Sequence, residues 1–546
     1  MLKNNLNFIF NAHLPFVRHP EYPKFLEEDW LYEAINESYI PFIRMMYRLR
    51  QENIKFRLTF SLSPTLCTML SDELLKERFT QYLESRIELG EKEIERTANC
   101  PDQNILARKY TEDAKQNLDF YVNKCSKNIL SAFNELSNEG YIELITTAAT
   151  HAYLPNFREN HVAVNAQIEA GIINHYRAFD KLPEGFWLPE CGYYPGLEKY
   201  LVRSNIKWTT VAAQAFFLSE DKVEKGNFAP VKTKDGFYFF ARNHFLSNLV
   251  WSDTEGYPCD ADYREFYRDI GYDLPWDYVQ PYVHEPHVRV FTGFKYWAIT
   301  GQTADKKPYN PEKANEKLNL HAANFIYNVK NQGRLLENRL DTDPVYTISF
   351  DAELFGHWWY EGISWLEKVI RLTSFEKNIN LVTSSDVIRD NPDVQILTPA
   401  YSSWGTGGYS QVWTDSSSNA WMLRNAIKSV ERMSEIAERF PLQKSLKQRF
   451  LNQAARETFL LMSSDWPFIV HNHTSEEYAN KRFCSHVQNL NLVYENMSKN
   501  AVNTEWLVKA EKRDNLFQQI DYNIFNPKHL QEPSMVYTMD YTKGAK

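Results

Sequence analysis

An α/β barrel is the fold class this sequence predicts, and three observations predict it. Short apolar runs alternate with helix-like patterns from residue 7 to residue 383. Two of those runs end on carboxylates, Glu190 and Asp351. From about residue 415 the pattern turns wholly helical. Strand–helix alternation implies a parallel sheet, and this many units implies closure into a barrel. Carboxylates at the carboxyl ends of strands fit a barrel's active face.

The elements follow in order. Asn7–Asn11 reads as the first strand, the periodic stretch Trp30–Gln51 as a helix, and the alternating Lys55–Ser61 as a strand. Residues 71–138 are charged and helical in pattern without a clear strand, which predicts a helical insertion. Tyr141–Thr147 reads as a strand and Val162–Phe179 as a helix. Gly185–Glu190 reads as a strand, with a helix near Gly196–Ser204 and a strand at Lys207–Val211. Residues 214–330 break the rhythm with Gly, Pro and aromatics, and predict loops or a small subdomain over the site. The strand Val345–Asp351, a helix from Ser364 and the strand Asn380–Thr383 complete the barrel. Ser418–Phe440 and Ser445–Met462 open an α-helical C-terminal domain. The expected organisation is therefore a catalytic unit over 1–414, including the insertion 71–138 and the loop subdomain 214–330, and a helical domain over 415–546.

Composition narrows the partners. With 43% hydrophobic residues the chain of 546 can build a large core. A net charge of −9 without a basic block argues against nucleic acid, whose phosphates demand clustered Lys and Arg. Aromatics reach 15%; most belong to a core, but some can line a groove for sugar rings. The six cysteines are scattered without a CxxC pair, which suggests free thiols in a reducing compartment. The N-terminus lacks a signal-like apolar region, and no apolar run approaches the ~18 residues of a membrane span. A cytoplasmic protein, monomer or homodimer, is expected.

Two carboxylates among aromatics suit glycosidic-bond chemistry, where one acid protonates a leaving oxygen and one carboxylate faces the anomeric carbon. In Val345–Asp351, Thr347, Ser349 and Asp351 share one face, so the polar face points into a barrel. The plainer reading of Asp351 is a cap for the following turn. Glu190 follows Pro189, and Cys191-Gly192 turns the chain sharply behind it. The plainer reading there is a salt bridge. His13, His151 and His357 each follow a strand or its loop, which suits sugar hydroxyls or a metal. No HxH or HExxH spacing supports the metal, and no cofactor is expected. Trp404 and Trp413 flank a glycine-rich loop, poor core material, and are read as sugar-stacking. Asp465 ends a helix at Ser463-Ser464-Asp465-Trp466, either as a cap or as a C-terminal group reaching the cleft.

Together these stretches resemble glycoside hydrolase family 57, in its glucan branching enzyme and amylase branch. The similarity runs through Asn11–Phe16, Gly140–Pro155, Trp187–Tyr193, Ser349–Gly362 and Tyr401–Trp413, with Arg264–Tyr272 and Ala454–Phe483 in support. The resemblance implies an incomplete (β/α)7 barrel with a helical insertion and an α-helical C-terminal domain. It implies α-1,4-glucan as substrate, retention without metal, Glu190 as nucleophile and Asp351 as general acid/base. It also implies substrate contacts from His13, His151, Trp187, Arg264, His357, Trp358, Trp404, Trp413 and Asp465. Asp351 is then expected to be protonated at rest, its pKa raised by the Glu190 charge and partial burial.

Two departures stand out. Asn11 occupies a position where the family commonly has His. The loop over Ala213–Pro230 is short and carries no Tyr, where branching members place a tyrosine that screens the glycosyl-enzyme from water. Phe216 or Phe217 is the substitute available. Branching is the leading expectation and a mainly hydrolytic α-amylase the alternative. A glucan-binding protein with a dead site, and a metal-dependent deacetylase or mannosidase on a related barrel, are the readings from other classes.

Overall fold

A computed structural model describes residues 2–252, 254–284 and 286–538. The last eight positions of the expected C-terminal domain, 539–546, lie outside the described residues. The sheet has nine strands: β1 (Asn4–Ala12), β2 (Leu58–Leu62), β3 (Ile142–Thr147), β4 (Gly185–Trp187), β5 (Trp208–Val211), β6 (Val231–Lys232), β7 (Tyr238–Ala241), β8 (Val345–Asp351) and β9 (Ile379–Leu381). The order β7-β5-β4-β3-β2-β1-β8 is parallel throughout. β6 adds an antiparallel edge to β7, and β9 pairs with the start of β1. A single parallel bridge, Arg242 to Thr347, joins the two ends of the seven-strand run. This is the incomplete (β/α)7 barrel.

Register sorts the side chains by face. Asn11 pairs with Asp351 and with Ser61, and Ile9 pairs with Ser349 and Thr59, so these residues share the interior. Trp187, Trp208, Phe240, Ile145 and Val345 pack with Ile9 inside the barrel. Leu6, Phe8, Phe10, Tyr346, Ile348 and Phe350 point outward into the main core beneath the helices. The polar interior is therefore concentrated on β1, β2 and β8, where the strands end.

The helices start where capping chemistry allows. Ser63 accepts from Leu66 N with Pro64 in the first turn, and Asp72 accepts from Leu74 N and Leu75 N to start Glu73–Arg96. The helices Glu73–Arg96, Pro101–Asp119 and Ile129–Asn138 form the insertion between β2 and β3. Ala420–Arg439, Ser445–Leu461, Asp465–His471, Glu476–Ser498 and Thr504–Arg513 make up the C-terminal helices. The helix expected over Trp30–Gln51 runs from Glu28 to Gln51 with a π-turn at Ile35–Tyr39. Among the described residues no helix is long and apolar enough to cross a membrane. None of the six cysteines forms a disulfide.

Two expectations need correction. β4 stops at Trp187, and Glu190 sits in a 3₁₀ turn, Pro189–Cys191. Pro189 has no N–H for the ladder, and Glu190 is left-handed at φ 61°, so the chain turns at Glu190 itself. Second, residues 214–330 are loop over much of their length but also carry regular elements. They contain barrel strand β7, the helix His244–Trp251 and the start of a 26-residue helix, Pro311–Leu336. The run Phe237-Tyr238-Phe239-Phe240 is packed on both sides and so lacks the alternation that marks a half-exposed strand.

The helix His161–Phe179 packs so closely on β3 that a Cβ at Gly171 would sit 2.3 Å from the Thr147 carbonyl oxygen. Gly171→Ala should therefore lower the free energy of unfolding by about 1–3 kcal/mol, read as a lower urea midpoint. An unchanged midpoint would mean that the helix and strand can separate at no cost.

Candidate active site

β1 and β8 deliver the first pair of groups. Asn11 Nδ2 donates to Asp351 Oδ1 at 3.2 Å, a direct result of their pairing in the sheet. The Nδ2 of Asn11 is thus engaged with the carboxylate, while its Oδ1 has no partner. The turn after β4 delivers Glu190, whose side chain keeps 18% exposure. Cys191 N to Leu188 O (2.9 Å) and Trp404 N to Glu190 O (2.9 Å) hold this turn. His151, Glu190 and Cys191 all have left-handed backbones, at φ 52°, 61° and 50°. Such conformations cost about 1–3 kcal/mol each and persist only where the surroundings enforce them.

Four further groups converge. Trp404 Nε1 donates to Glu190 Oε2 at 2.7 Å. His151 Nδ1 lies 3.7 Å from Glu190 Oε1 and 3.1 Å from Ser464 Oγ. The His13 ring stacks on His151, centroids 4.0 Å apart and planes 10° off parallel. His13 Nε2 is 3.1 Å from Asp465, and its Nδ1 is 2.9 Å from Ser63 Oγ. The C-terminal helices therefore contribute Asp465 and Ser464 to the cleft. A fourth carboxylate, Glu353, accepts from His13 N at 3.2 Å and from the Tyr39 hydroxyl.

Burial dominates the electrostatics. It pushes the Glu190 carboxyl up to about 8; the Asp351 charge pushes the same way, and the Trp404 N–H pulls back. Asp351 is also raised by burial, but Asn11, His13 and Arg242 oppose it. Glu353 is pushed up to about 8 by burial. Burial thus pushes both carboxyls of the pair toward the protonated form. Burial and the neighbouring His13 hold His151 well below the usual imidazole range, so it stays neutral.

The other expected ligand residues divide. Trp187 is buried beneath the cleft and meets Trp404 edge-on at 5.1 Å, so it supports that ring. Trp413, expected to stack on sugar, is 1% exposed; its ring packs flat on Tyr153 at 4.3 Å under Gly405. A Cβ at Gly405 would meet it at 2.7 Å, which explains the glycine: the loop rests on the indole. His357 binds Glu37 at 2.6 Å, and Trp358, 53% exposed, stacks on Phe266 at 4.4 Å, forming a second cluster. Arg264 lies over the Tyr360 ring at 3.8 Å and lines a separate cavity.

Sequence reasoning missed Arg242 and Trp251. Trp251, 42% exposed, lies 5.9 Å from the Trp404 ring, and the Arg242 guanidinium sits 5.1 Å from Trp404 and 5.7 Å from Trp251. Both follow β7, the strand whose pattern did not alternate. Among the described residues the one close trio of metal-ligand types is Glu457, His486 and Asp514. His486 and Glu457 already bind each other at 2.7 Å, and Arg513 neutralises Asp514 at 2.7 Å.

Residues 7–400 match the family described as glycosyl hydrolase family 57, and residues 425–525 match the 1,4-alpha-glucan branching enzyme C-terminal family. The structure of the alpha-amylase AmyC from Thermotoga maritima aligns at TM-score 0.90 and 38% identity, covering 96% of this chain and 99% of that one. The GH57-type branching enzyme from Pyrococcus horikoshii aligns at TM-score 0.86 and 30% identity, covering 98% of each. A 1,4-alpha-glucan branching enzyme of Thermococcus kodakarensis is 29% identical over 97% of this chain and 80% of its own length.

The Glu190 shift has a consequence for stability. Its carboxyl rises from an ordinary 4.5 to about 8 in the fold, so the native state holds a proton that the unfolded chain releases. That contribution is complete below about pH 4.5 and lost as pH climbs through about 8. Measured against Glu190→Gln, which does not titrate, the wild-type urea midpoint should fall between those limits. A pH-independent difference would show Glu190 ionised throughout.

Proposed function

The chain belongs to glycosyl hydrolase family 57, and we propose that it is a retaining 1,4-alpha-glucan branching enzyme working through a covalent glycosyl-Glu190 intermediate. The observation that carries this reading is the junction of Glu190, Asp351, His13, His151, Trp404 and Asp465 in one cleft. Glu190 attacks the anomeric carbon while Asp351 protonates the departing 4-oxygen. Asp351 then takes the proton of an incoming 6-hydroxyl as it displaces Glu190.

The proton must begin on Asp351. Burial raises both carboxyls, and the contacts around each decide where it sits. A glycosidic oxygen beside Asp351 offers that proton an acceptor, which favours the protonated form there. The Trp404 N–H at 2.7 Å favours the Glu190 anion. His151, neutral and braced by His13 and Ser464, and Arg242 above Trp404 suit sugar hydroxyls. Trp404 and Trp251 offer ring faces to the pyranose.

Transfer competes with water, present at about 55 M, and wins only if the cleft excludes water and positions the acceptor. Phe216 is buried in the core and is not available as a shield. Phe217 and Leu218, both exposed on the adjoining loop, are the apolar pair that supports this role. Gln214 ties that segment to the glycine-rich loop, donating to Ser403 O at 2.8 Å. The short, tyrosine-free loop and the 38% identity to an alpha-amylase favour a second reading, mainly hydrolytic turnover at the same site. We assign 1–414 as the catalytic unit and 415–546 as the helical domain, which the family matches ending at 400 and beginning at 425 support. We assign the enzyme to the cytoplasm, a placement that six cysteines without a disulfide among them support.

Amylose should acquire new α-1,6 linkages, released by a debranching enzyme, without a large rise in reducing ends. Reducing ends alone would establish hydrolysis instead. Trp404→Phe keeps a ring but removes the N–H on Glu190, and should lower kcat about tenfold or more with a smaller change in KM. Equal losses from Phe and Ala at this position would assign Trp404 to stacking alone.

A further inference from the structure

A second cavity, about 430 Å³, lies between the insertion helices, the Glu28–Gln51 helix and the loop that follows β8. Five cationic side chains line it: Arg44, Arg48, Arg86, Lys109 and Arg264. Three carboxylates face them, and all are engaged: Glu37 holds His357 at 2.6 Å, Asp113 holds Lys109 at 2.8 Å, and Glu361 accepts from Arg264 N at 3.0 Å. Arg48 is bound to Glu367 at 2.6 Å. Among the described residues, Arg44, Arg86 and Arg264 have no carboxylate within ion-pair distance. Arg44 is held instead by the amides of Asn117, at 2.6 Å, and Gln116. Arg86 is 5% exposed, donates to the Tyr282 and Phe291 carbonyls, and leaves Nε without a partner. Asp29 and Asp269 attract it only from farther off.

Backbone adds to this field. The 14-residue helix Gly362–Phe375 opens onto the cavity through Ile363 and Ser364, and its N-cap Glu361 makes no capping hydrogen bond. The positive end of a helix favours an anion there. Guanidinium groups match phosphate oxygens in pairs, which makes three unpaired ones in a single cavity a strong anion signature. The remaining wall is neutral and polar, with the Asn36 and Asn315 amides suited to hydroxyl groups. The volume falls in the range of small-molecule sites and exceeds what a lone phosphate fills.

We propose that this cavity is a binding site for a phosphorylated sugar, distinct from the Glu190–Asp351 cleft. The phosphate lies among Arg44, Arg86 and Arg264, and the sugar hydroxyls meet the amide-lined wall. Calorimetric titration of the full chain with glucose 6-phosphate, inorganic phosphate and glucose tests it. Glucose 6-phosphate should bind more tightly than phosphate, glucose should not bind in this range, and added salt should weaken both anions. Arg44→Gln, checked for an unchanged melting temperature, should weaken glucose 6-phosphate about tenfold. Equal binding of glucose, no binding of either anion, or an undiminished affinity in Arg44→Gln overturns the proposal. The comparison of the three probes on the wild-type chain stands even if the variant does not fold.

Discussion

The pairing of β1 with β8 is the constraint on which the rest depends. β1 is hydrogen-bonded to β2, to β8 and, at its start, to β9, so it is the hub of the sheet. Its register places Asn11 opposite Asp351 and leaves His13 just past the strand end. A slip of one residue would turn Asn7 and Asn11 into the helix-facing core and Phe8 and Phe10 into the cleft. The apolar packing of Phe8 and Phe10 outside the barrel therefore fixes the polar groups inside it.

A buried cleft then creates its own chemistry. Removing water raises all three carboxyls, Glu190, Asp351 and Glu353, because the neutral acid is easier to bury than the anion. The protein adjusts them with single contacts: an indole N–H for Glu190, an amide for Asp351, a phenol and a backbone N–H for Glu353. Each contact comes from a different part of the chain, so the balance among the three depends on how well the whole barrel packs.

Much of this was legible before folding. Alternation gave the position of β8 and the inward face of Asp351, and strand-end histidines pointed to His13 and His151. Asp465 was marked by its place after a helix, among polar residues. Other features were hidden for physical reasons. β7 is buried on both faces, which erases the period of two, and with it went Arg242 and Trp251. Trp413 on a glycine-rich segment looked exposed, because sequence does not tell whether glycine admits a ligand or another side chain. The rise of both carboxyls is a property of burial from several directions, which no local pattern carries.

The contact between His13 and Asp465 spans 452 positions. The ribosome makes His13 well before Asp465. A nascent chain released only as far as the barrel would have its carboxylates but not the brace on His13. Closing so wide a loop is slow, since non-local contacts reward the chain only after its entropy has been surrendered. A polypeptide truncated before Asp465 is thereby left without the partner that the His13 imidazole meets in the full fold.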